Sequence, residues 1–160
     1  MSDANELEVV NVRLVKEPSL YSPEPIHSPD DVLKVIAKEI ATYDREVFAI
    51  LNLKSSGQII NLNICSIGTL NASLVSPREV FKSSILSNAA NFIAIHNHPS
   101  GNPSPSSEDI DTTKRLEMCG GLLGIEMLDH IIIAGETGER FSFRENGMME
   151  RVRAAERMDR

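Results

Sequence analysis

The segment with the clearest chemical potential runs from residue 96 to residue 109 and reads HNHPSGNPSPSSED. His96 and His98 are two residues apart, and on a β-strand such a pair points to the same side. The strand must end there, because Pro99 cannot continue the ladder of hydrogen bonds. Two imidazoles at the open end of a strand are suited to bind Zn²⁺, and histidine is one of its usual protein ligands.

A third ligand is expected from the helix that follows the Pro-rich loop. Ser106 and Asp109 lie three residues apart and therefore share one face of that helix. Asp109 would complete a His₂Asp set and leave the fourth zinc position to water, as in catalytic zinc sites, whereas structural sites are usually closed by four protein ligands. The two cysteines, Cys65 and Cys119, match no CxxC spacing and are predicted to be reduced thiols in the core.

Two other interpretations of the histidine pair compete with a metal site. A lone His-x-His pair is more often exposed or buried in a core than bound to a metal. The string His-Asn-His also invites comparison with HNH nucleases, but that name describes residues dispersed over a ββα-metal unit, not three neighbours. The coupling of the pair to a rigid Pro/Ser/Gly loop and to Ser-x-x-Asp favours the metal site.

Apolar periodicity and turn signals predict the elements that position this segment. Alternating or continuous apolar runs predict strands, and Ser-Pro or Ser-x-x-Glu patterns predict helix starts. The predicted strands cover residues 9–15 (an edge strand), 47–53, 59–67, 92–96, 127–134 and 140–143. The predicted helices run from Ser28 to about Tyr43, from a capping box at Ser76-Pro77-Arg78-Glu79 to about Asn88, from Ser104-Pro105 to Cys119, and along a terminal stripe of Met148, Val152 and Ala155.

Gly120 and Gly121 are expected to end the third of these helices. The mixed order of strands and helices predicts an α+β fold, an α/β/α-like sandwich in which helices flank a mixed β-sheet. We expect an N-terminal strand and Pro-rich extension over residues 1–27, the main domain over residues 28–143, and a C-terminal helix over residues 144–160.

Composition narrows the class of protein. The chain has 160 residues, a mass of 17.6 kDa and a formal net charge of −7, which suits one core and argues against a generic nucleic-acid binder. It has no Trp, two Tyr and five Phe, so the core must be aliphatic and base stacking has little material. We see no signal peptide and no membrane span in the sequence, and we expect a cytoplasmic location.

The spacing His96-x-His98-x₇-Ser106-x₂-Asp109 resembles the JAMM motif of the MPN/JAB metallopeptidase superfamily. The wider string of residues 96–106 resembles the RadC-like JAB-domain proteins of bacteria and mobile elements. Matches continue in order along the chain over roughly residues 28–143, and the resemblance implies a JAB/MPN (cytidine-deaminase-like) architecture. The further matching segments are Gly68-Thr69-Leu70, Ser76-Pro77-Arg78-Glu79 and Leu128-Asp129-His130-Ile131-Ile132-Ile133.

The same resemblance implies roles for two further residues. The family has a glutamate on the first core strand, and Glu46 occupies the matching place, with Asp44 as its local competitor. Glu46 would accept a proton from water and later pass it to the leaving amine. Ser106 would donate a hydrogen bond to the oxyanion of the tetrahedral intermediate.

The resulting expectation is a zinc metallopeptidase or isopeptidase that acts on a peptide or protein conjugate. The alternative is a non-catalytic RadC-like interaction module associated with DNA repair or mobile-element functions. Longer RadC-like chains commonly carry an N-terminal helical region associated with DNA, which the 27 residues before the core here do not resemble. An exposed strand edge or the C-terminal helix could support a homodimer.

The sequence assigns no definite role to three other residues. Asp129 and His130 are neighbours on a strand and should point to opposite faces, so a mutual acid–base pair is not expected and His130 has a structural or supporting role. Arg78, in the first turn of a helix, is poorly placed for the helix dipole and is a candidate for contact with substrate.

Overall fold

The computed structural model describes residues 10–15, 25–40, 43–68 and 75–149. These form one five-stranded mixed sheet with three α-helices, which confirms the predicted α+β class. In chain order the elements are α1 (Pro29–Ile40), β1 (Glu46–Leu53), β2 (Ile59–Gly68), α2 (Pro77–Leu86), β3 (Asn91–His98), α3 (Ser107–Leu123), β4 (Glu126–Ala134), a 3₁₀ turn (Gly135–Thr137) and β5 (Glu139–Ser142).

The strands are ordered β2-β1-β3-β4-β5 across the sheet. β1 pairs antiparallel with both β2 and β3, so the predicted hairpin is confirmed, while β3 and β4 are parallel and are joined through α3. The register places Phe48 opposite His96. Because the two strands run in opposite directions, the start of β1 lies beside the end of β3, and Glu46 is brought to the end of the sheet that carries His98.

Each face of the sheet is covered by helix. α1 packs on one face with the aliphatic cluster that includes Ile36, Leu51 and Ile95, and α2 and α3 pack on the other with the cluster that includes Phe92 and Ala94. Residues two apart on β3 share a face, so the side chains at positions 96 and 98 continue the row of Phe92 and Ala94. The histidine pair therefore faces the α2 and α3 layer.

A buried polar network helps to hold α2 on the sheet. The Asn52 side-chain amide donates to Asn61 Oδ1 at 2.7 Å and to Ser83 Oγ at 3.0 Å, and its carbonyl oxygen accepts from Ser84 Oγ at 2.6 Å. Since every bond joins a buried polar atom to a partner, the desolvation of these groups is offset. None of the helices in the described ranges is long and apolar enough to cross a bilayer.

α3 differs from its predicted bounds at both ends. Its N-cap is Ser106, not Ser104, and it continues through Gly120 and Gly121 to Leu123, where Gly124 ends it with φ of 70°. After Gly124 the chain turns back so closely that a Cβ on Gly120 would lie 2.5 Å from the carbonyl oxygen of Ile125, whose N–H donates to the carbonyl oxygen of Gly120. Glycine is there for close packing, and helix termination is left to Gly124.

Other predictions are wrong in smaller ways or lie outside the described residues. Residues 10–15 form no strand; α1 covers Pro29–Ile40, and Tyr43 is not helical. Ser76 caps α2 without a side-chain hydrogen bond, so the predicted capping box is absent, and Glu79 instead pairs with Lys82 at 3.1 Å. Met148 is not helical, and the rest of the predicted terminal helix lies outside the described residues.

Gly120→Ala is expected to lower the free energy of unfolding by about 1–3 kcal/mol, because the new methyl group would overlap the carbonyl oxygen of Ile125. Gly121 is helical and exposed, so Gly121→Ala is the matched control and should raise that free energy by up to about 1 kcal/mol. Urea denaturation measures both. Equal effects of the two substitutions would contradict the close approach.

Candidate metal centre

Four titratable side chains meet where β3 ends, β1 begins and α3 begins. Asp109 Oδ1 lies 3.1 Å from His96 Nδ1, and Asp109 Oδ2 lies 3.2 Å from His98 Nε2. On the other side of the ring, His96 Nε2 lies 3.7 Å from Glu46 Oε2. Fold and loop together therefore bring two imidazoles and two carboxylates to one point, and the side chain of Asp109 is only 8% exposed there.

The loop after β3 fixes the orientation of the His98 ring. His98 Nδ1 lies 2.9 Å from the backbone carbonyl oxygen of Asn102. A carbonyl oxygen can only accept, so Nδ1 carries the hydrogen and Nε2 is directed toward Asp109. This is the arrangement in which a metal-ligating histidine donates its other ring N–H to a backbone carbonyl.

His96 supplies an observation that points to a bound cation. Its Nδ1 is buried and has no hydrogen-bond partner in the described part of the chain, although a carboxylate oxygen of Asp109 lies 3.1 Å away. The two atoms are close without being aligned for a hydrogen bond. Nitrogen and carboxylate donors that converge without bonding to one another fit Zn²⁺, which takes both histidine and aspartate as ligands.

The charges of Asp109 and His98 reinforce each other. Burial alone would raise the pKa of Asp109, but the imidazoles of His96 and His98 and the Ser106 backbone N–H lower it well below its usual 3.8. The carboxylate of Asp109 in turn raises the pKa of His98 above 6.5. Without metal, a proton on His98 Nε2 would balance the carboxylate, so a metal ion must compete with that proton to bind.

Two ligand sets are compatible with this geometry. Single donor atoms from Glu46, His96 and His98 all lie within 4.8 Å of one another, which is close enough for one ion. Asp109 contacts each histidine through a different carboxylate oxygen, and its place in a His₂Asp set stays a prediction. Asp44, the competitor of Glu46, is 88% exposed and paired with Arg45, and it does not reach the centre.

Ser106 and Asp109 form a reciprocal capping box at the start of α3. Ser106 Oγ accepts from the Asp109 backbone N–H at 3.1 Å, and Asp109 Oδ2 accepts from the Ser106 backbone N–H at 2.8 Å. The same carboxylate oxygen faces His98, so the cap sets its position. Because the Ser106 hydroxyl accepts in this bond, its own hydrogen is free to be donated elsewhere.

The centre lies on the floor of a cleft of about 380 Å³. Its walls include Phe48, Val75, Ser100 and Thr112, and Ser106 and Glu108 lie at its α3 side. No Lys or Arg is among the described residues that line it. Arg78 lines a separate apolar groove between α2 and the end of α3, so the structure does not bring it to this cleft.

Comparison with known proteins decides the family. The profile of the RadC-like JAB domain matches residues 26–148. The chain belongs to the RadC-like JAB domain family. The four titratable residues and the cleft that they occupy all lie within the matched residues, as the motif resemblance implied.

Similar full-length proteins are UPF0758 proteins of bacteria. One from Geobacillus sp. (strain WCH70) is 49% identical over 111 residues, which cover 69% of this chain and 49% of the relative. One from Desulfitobacterium hafniense (strain DSM 10664 / DCB-2) is 44% identical over 124 residues, which cover 78% of this chain and 54% of the relative. One from Shouchella clausii (strain KSM-K16) is 43% identical over 140 residues, which cover 88% of this chain and 60% of the relative. The chain thus spans about half to three-fifths of the relatives' length.

Asn97 contributes to the centre of this RadC-like JAB domain in a way that sequence reasoning missed. Its side chain points away from the two histidines and is buried. Its Oδ1 accepts from the Val47 backbone N–H at 2.6 Å, and its Nδ2 donates to the Arg45 backbone carbonyl at 2.9 Å. These two groups flank Glu46, so Asn97 holds the strand start that presents that carboxylate. The middle residue of His-Asn-His thus has a supporting role, which differs from that in an HNH nuclease.

Asp129 and His130 do not form a mutual pair, in agreement with their alternation along β4. Asp129 accepts from the His130 backbone N–H, from Ser142 Oγ and from the Arg144 backbone N–H, and it ties β4 to β5 and the turn that follows. Burial lowers the pKa of His130 to about 3, so its ring is neutral at ordinary pH. Burial also raises the pKa of Cys65 to about 12, which excludes a thiolate there.

Ser106→Ala is expected to lower the free energy of unfolding of the metal-free domain by about 1 kcal/mol, because the Asp109 N–H loses its cap. Ser76→Ala is the matched control, since the Ser76 side chain makes no capping hydrogen bond. It should leave that free energy nearly unchanged. Urea denaturation compares the two, and equal losses would show that the Ser106 cap contributes nothing.

Asp109→Asn is expected to destabilise the metal-free domain in a pH-dependent way. The stabilisation by the Asp109 carboxylate is present above the unfolded pKa of Asp109, 3.8. The stabilisation by His98 is present below the unfolded pKa of His98, 6.5, and is lost as pH rises through its raised folded pKa. The stability difference from wild type should therefore be largest near about pH 5 and shrink as pH rises through the raised folded pKa of His98.

Urea denaturation with a chelator present, at several pH values, measures this difference. Asparagine can still accept from the Ser106 backbone N–H, so the comparison isolates the charge of Asp109 from its capping bond. A stability difference that grows as pH rises above about pH 5 would contradict the assignment.

Proposed function

We propose that this RadC-like JAB domain is a zinc-dependent metallopeptidase or isopeptidase that hydrolyses an amide bond. The observation that carries the proposal is the convergence of His96, His98, Asp109 and Glu46 on the floor of one cleft. The proposed catalytic unit is residues 28–143, and the activities of the longer relatives are a separate question.

In this proposal His96, His98 and Asp109 hold the metal and Glu46 stays free for proton transfer. When bound, Zn²⁺ supplies Lewis-acid chemistry: it lowers the pKa of a coordinated water to about 7 and polarises the scissile carbonyl. The assignment is supported by the His98 ring, whose Nδ1 is occupied by Asn102, and by Asp109, which contacts both rings.

Glu46 is proposed as the general base and then the general acid. It lies at the cleft wall with its side chain 19% exposed, so its carboxylate can reach both a water molecule and the substrate. Glu46 takes the proton of the attacking water and delivers it to the leaving amine. The hold of Asn97 on the neighbouring backbone keeps the carboxylate in place while the proton moves.

Ser106 is proposed to stabilise the oxyanion. Its hydroxyl hydrogen is not used by the capping bond and can be donated to the carbonyl oxygen as negative charge develops there. A donor of this kind is typically worth about 2.7–4 kcal/mol in transition-state stabilisation. A nucleophilic role would need a free histidine base beside Ser106, and both nearby imidazoles face Asp109.

The charge of the cleft favours a neutral scissile group. The described residues that line it include Glu46, Glu108 and Asp109 and no Lys or Arg. A phosphodiester carries a negative charge that this lining would repel, and phosphoryl transfer commonly relies on Arg, Lys or two metal ions. An amide in a peptide or protein conjugate meets no such repulsion, and direct binding of nucleic acid is not part of the proposal.

Zinc content tests the ligand assignment. Tag-free wild-type protein should carry close to stoichiometric zinc by elemental analysis, and His98→Ala and Asp109→Ala should lose it. Glu46→Gln should retain zinc, because in this proposal Glu46 is not a ligand. Loss of zinc in Glu46→Gln with retention in Asp109→Ala would favour the set of Glu46, His96 and His98.

Hydrolysis of a peptide library tests the proposed activity. Glu46→Gln should reduce the rate by about 10²–10⁴-fold with zinc retained, whereas Asp44→Asn, two residues away and exposed, should match wild type. A folded wild-type protein that binds no zinc after reconstitution would overturn the hydrolase proposal and favour the interaction module.

A further inference from the structure

A third histidine lies next to the metal centre and is absent from the JAMM spacing. His130 is completely buried on β4, where the parallel register places it beside Ala94 of β3. That position is one step below His96 on the same face of the sheet. The His130 ring centroid lies 6.3 Å from that of His96, with the planes 25° apart.

His130 is linked to the start of α3 through one threonine. Thr113 Oγ1 donates to the Asp109 backbone carbonyl at 2.7 Å and lies 2.6 Å from His130 Nδ1. A hydroxyl has one hydrogen, so Thr113 accepts from Nδ1–H while it donates to Asp109. The result is a directed chain from His130 through Thr113 to the residue that faces both metal-site histidines.

The opposite side of the His130 ring raises the question of why a histidine, and not an apolar ring, occupies this position. His130 Nε2 is buried and has no hydrogen-bond partner in the described part of the chain. A buried polar atom without a partner lowers stability, and an apolar ring would avoid that cost. The ring is also stacked on Phe143, with centroids 4.7 Å apart and planes 7° apart, so it is held firmly. The feature that an apolar ring cannot supply is the Nδ1–H donor.

We propose that His130 is a positioning residue for the metal centre. Through its hydrogen bond to Thr113, His130 holds Asp109 level with His96. The inference rests on the proposed zinc site and adds to it a residue that touches neither metal nor substrate. Outer partners of this kind typically change metal affinity by about 10–100-fold when they are replaced.

Two substitutions separate the hydrogen bond from the packing of the ring. His130→Phe retains an aromatic ring against Phe143 but removes the donor, and Thr113→Val removes the link from the other side. Both should weaken zinc binding by about 10–100-fold. His130→Asn places a side-chain N–H near the position of Nδ1, so it should retain zinc affinity closer to wild type than His130→Phe does.

Zinc dissociation constants are measured by competition with a chromophoric chelator, and the visible spectrum of the Co²⁺-loaded protein reports ligand geometry independently. Each substitution breaks the same hydrogen-bond chain. The double variant His130→Phe with Thr113→Val should therefore have a zinc dissociation constant no higher than that of the single variant that binds zinc less tightly. Ser84→Ala is the matched control for destabilisation alone, because Ser84 is buried and hydrogen-bonded to Asn52 away from the centre.

The outcomes are distinguishable. If wild type binds zinc and both His130→Phe and Thr113→Val bind it as tightly, with an unchanged Co²⁺ spectrum, the positioning role is wrong and the zinc site stands. If Ser84→Ala weakens zinc binding as much as they do, the effect is general destabilisation and the positioning role is again wrong. If wild type binds neither metal, the proposed function fails and this inference fails with it. Should His130→Phe not fold, Thr113→Val and His130→Asn still decide the question.

Discussion

The reciprocal cap between Ser106 and Asp109 is the interaction on which the centre depends. One carboxylate accepts the Ser106 N–H at the start of α3 and at the same time faces His96 and His98 at the end of β3. The helix start, the strand end and the loop between them are thereby joined at a single side chain. Because the cap satisfies backbone groups that a helix start leaves unpaired, local helix stability and the geometry of the proposed metal site come from the same hydrogen bonds.

Several neighbouring side chains hold the residues around this cap in place. Asn102 orients the His98 ring, Asn97 holds the backbone on both sides of Glu46, and Thr113 contacts the Asp109 carbonyl. The bonds from Val47 to Asn97 and from Thr113 to Asp109 are buried, which strengthens them, whereas the His98–Asn102 bond is exposed. The donors of the centre are held before any ion arrives, which reduces the reorganisation that binding requires.

Charge shows why a cation would suit such a centre. Two carboxylates and two imidazoles meet in a largely buried space, and the described residues that line the cleft provide no lysine or arginine. Without metal, a proton on His98 would balance Asp109, because the pKa of each is displaced in the direction that keeps the pair charged. A divalent ion would replace that proton and neutralise more of the site. The same lack of cations separates this cleft from an anion-binding site.

Local periodicity was sufficient for much of this protein. The α+β class, most strands, the shared face of His96 and His98 and that of Ser106 and Asp109 follow from periods of two and 3.6 residues, which act within a few neighbours. Glu46 could be placed only through family resemblance, because its distance from the histidines is set by strand pairing. The hydrogen bonds of Asn97 to the start of β1 and the contact of Thr113 with His130 were decided by tertiary structure alone. Each depends on which distant segment lies alongside, and no spacing along the chain records that.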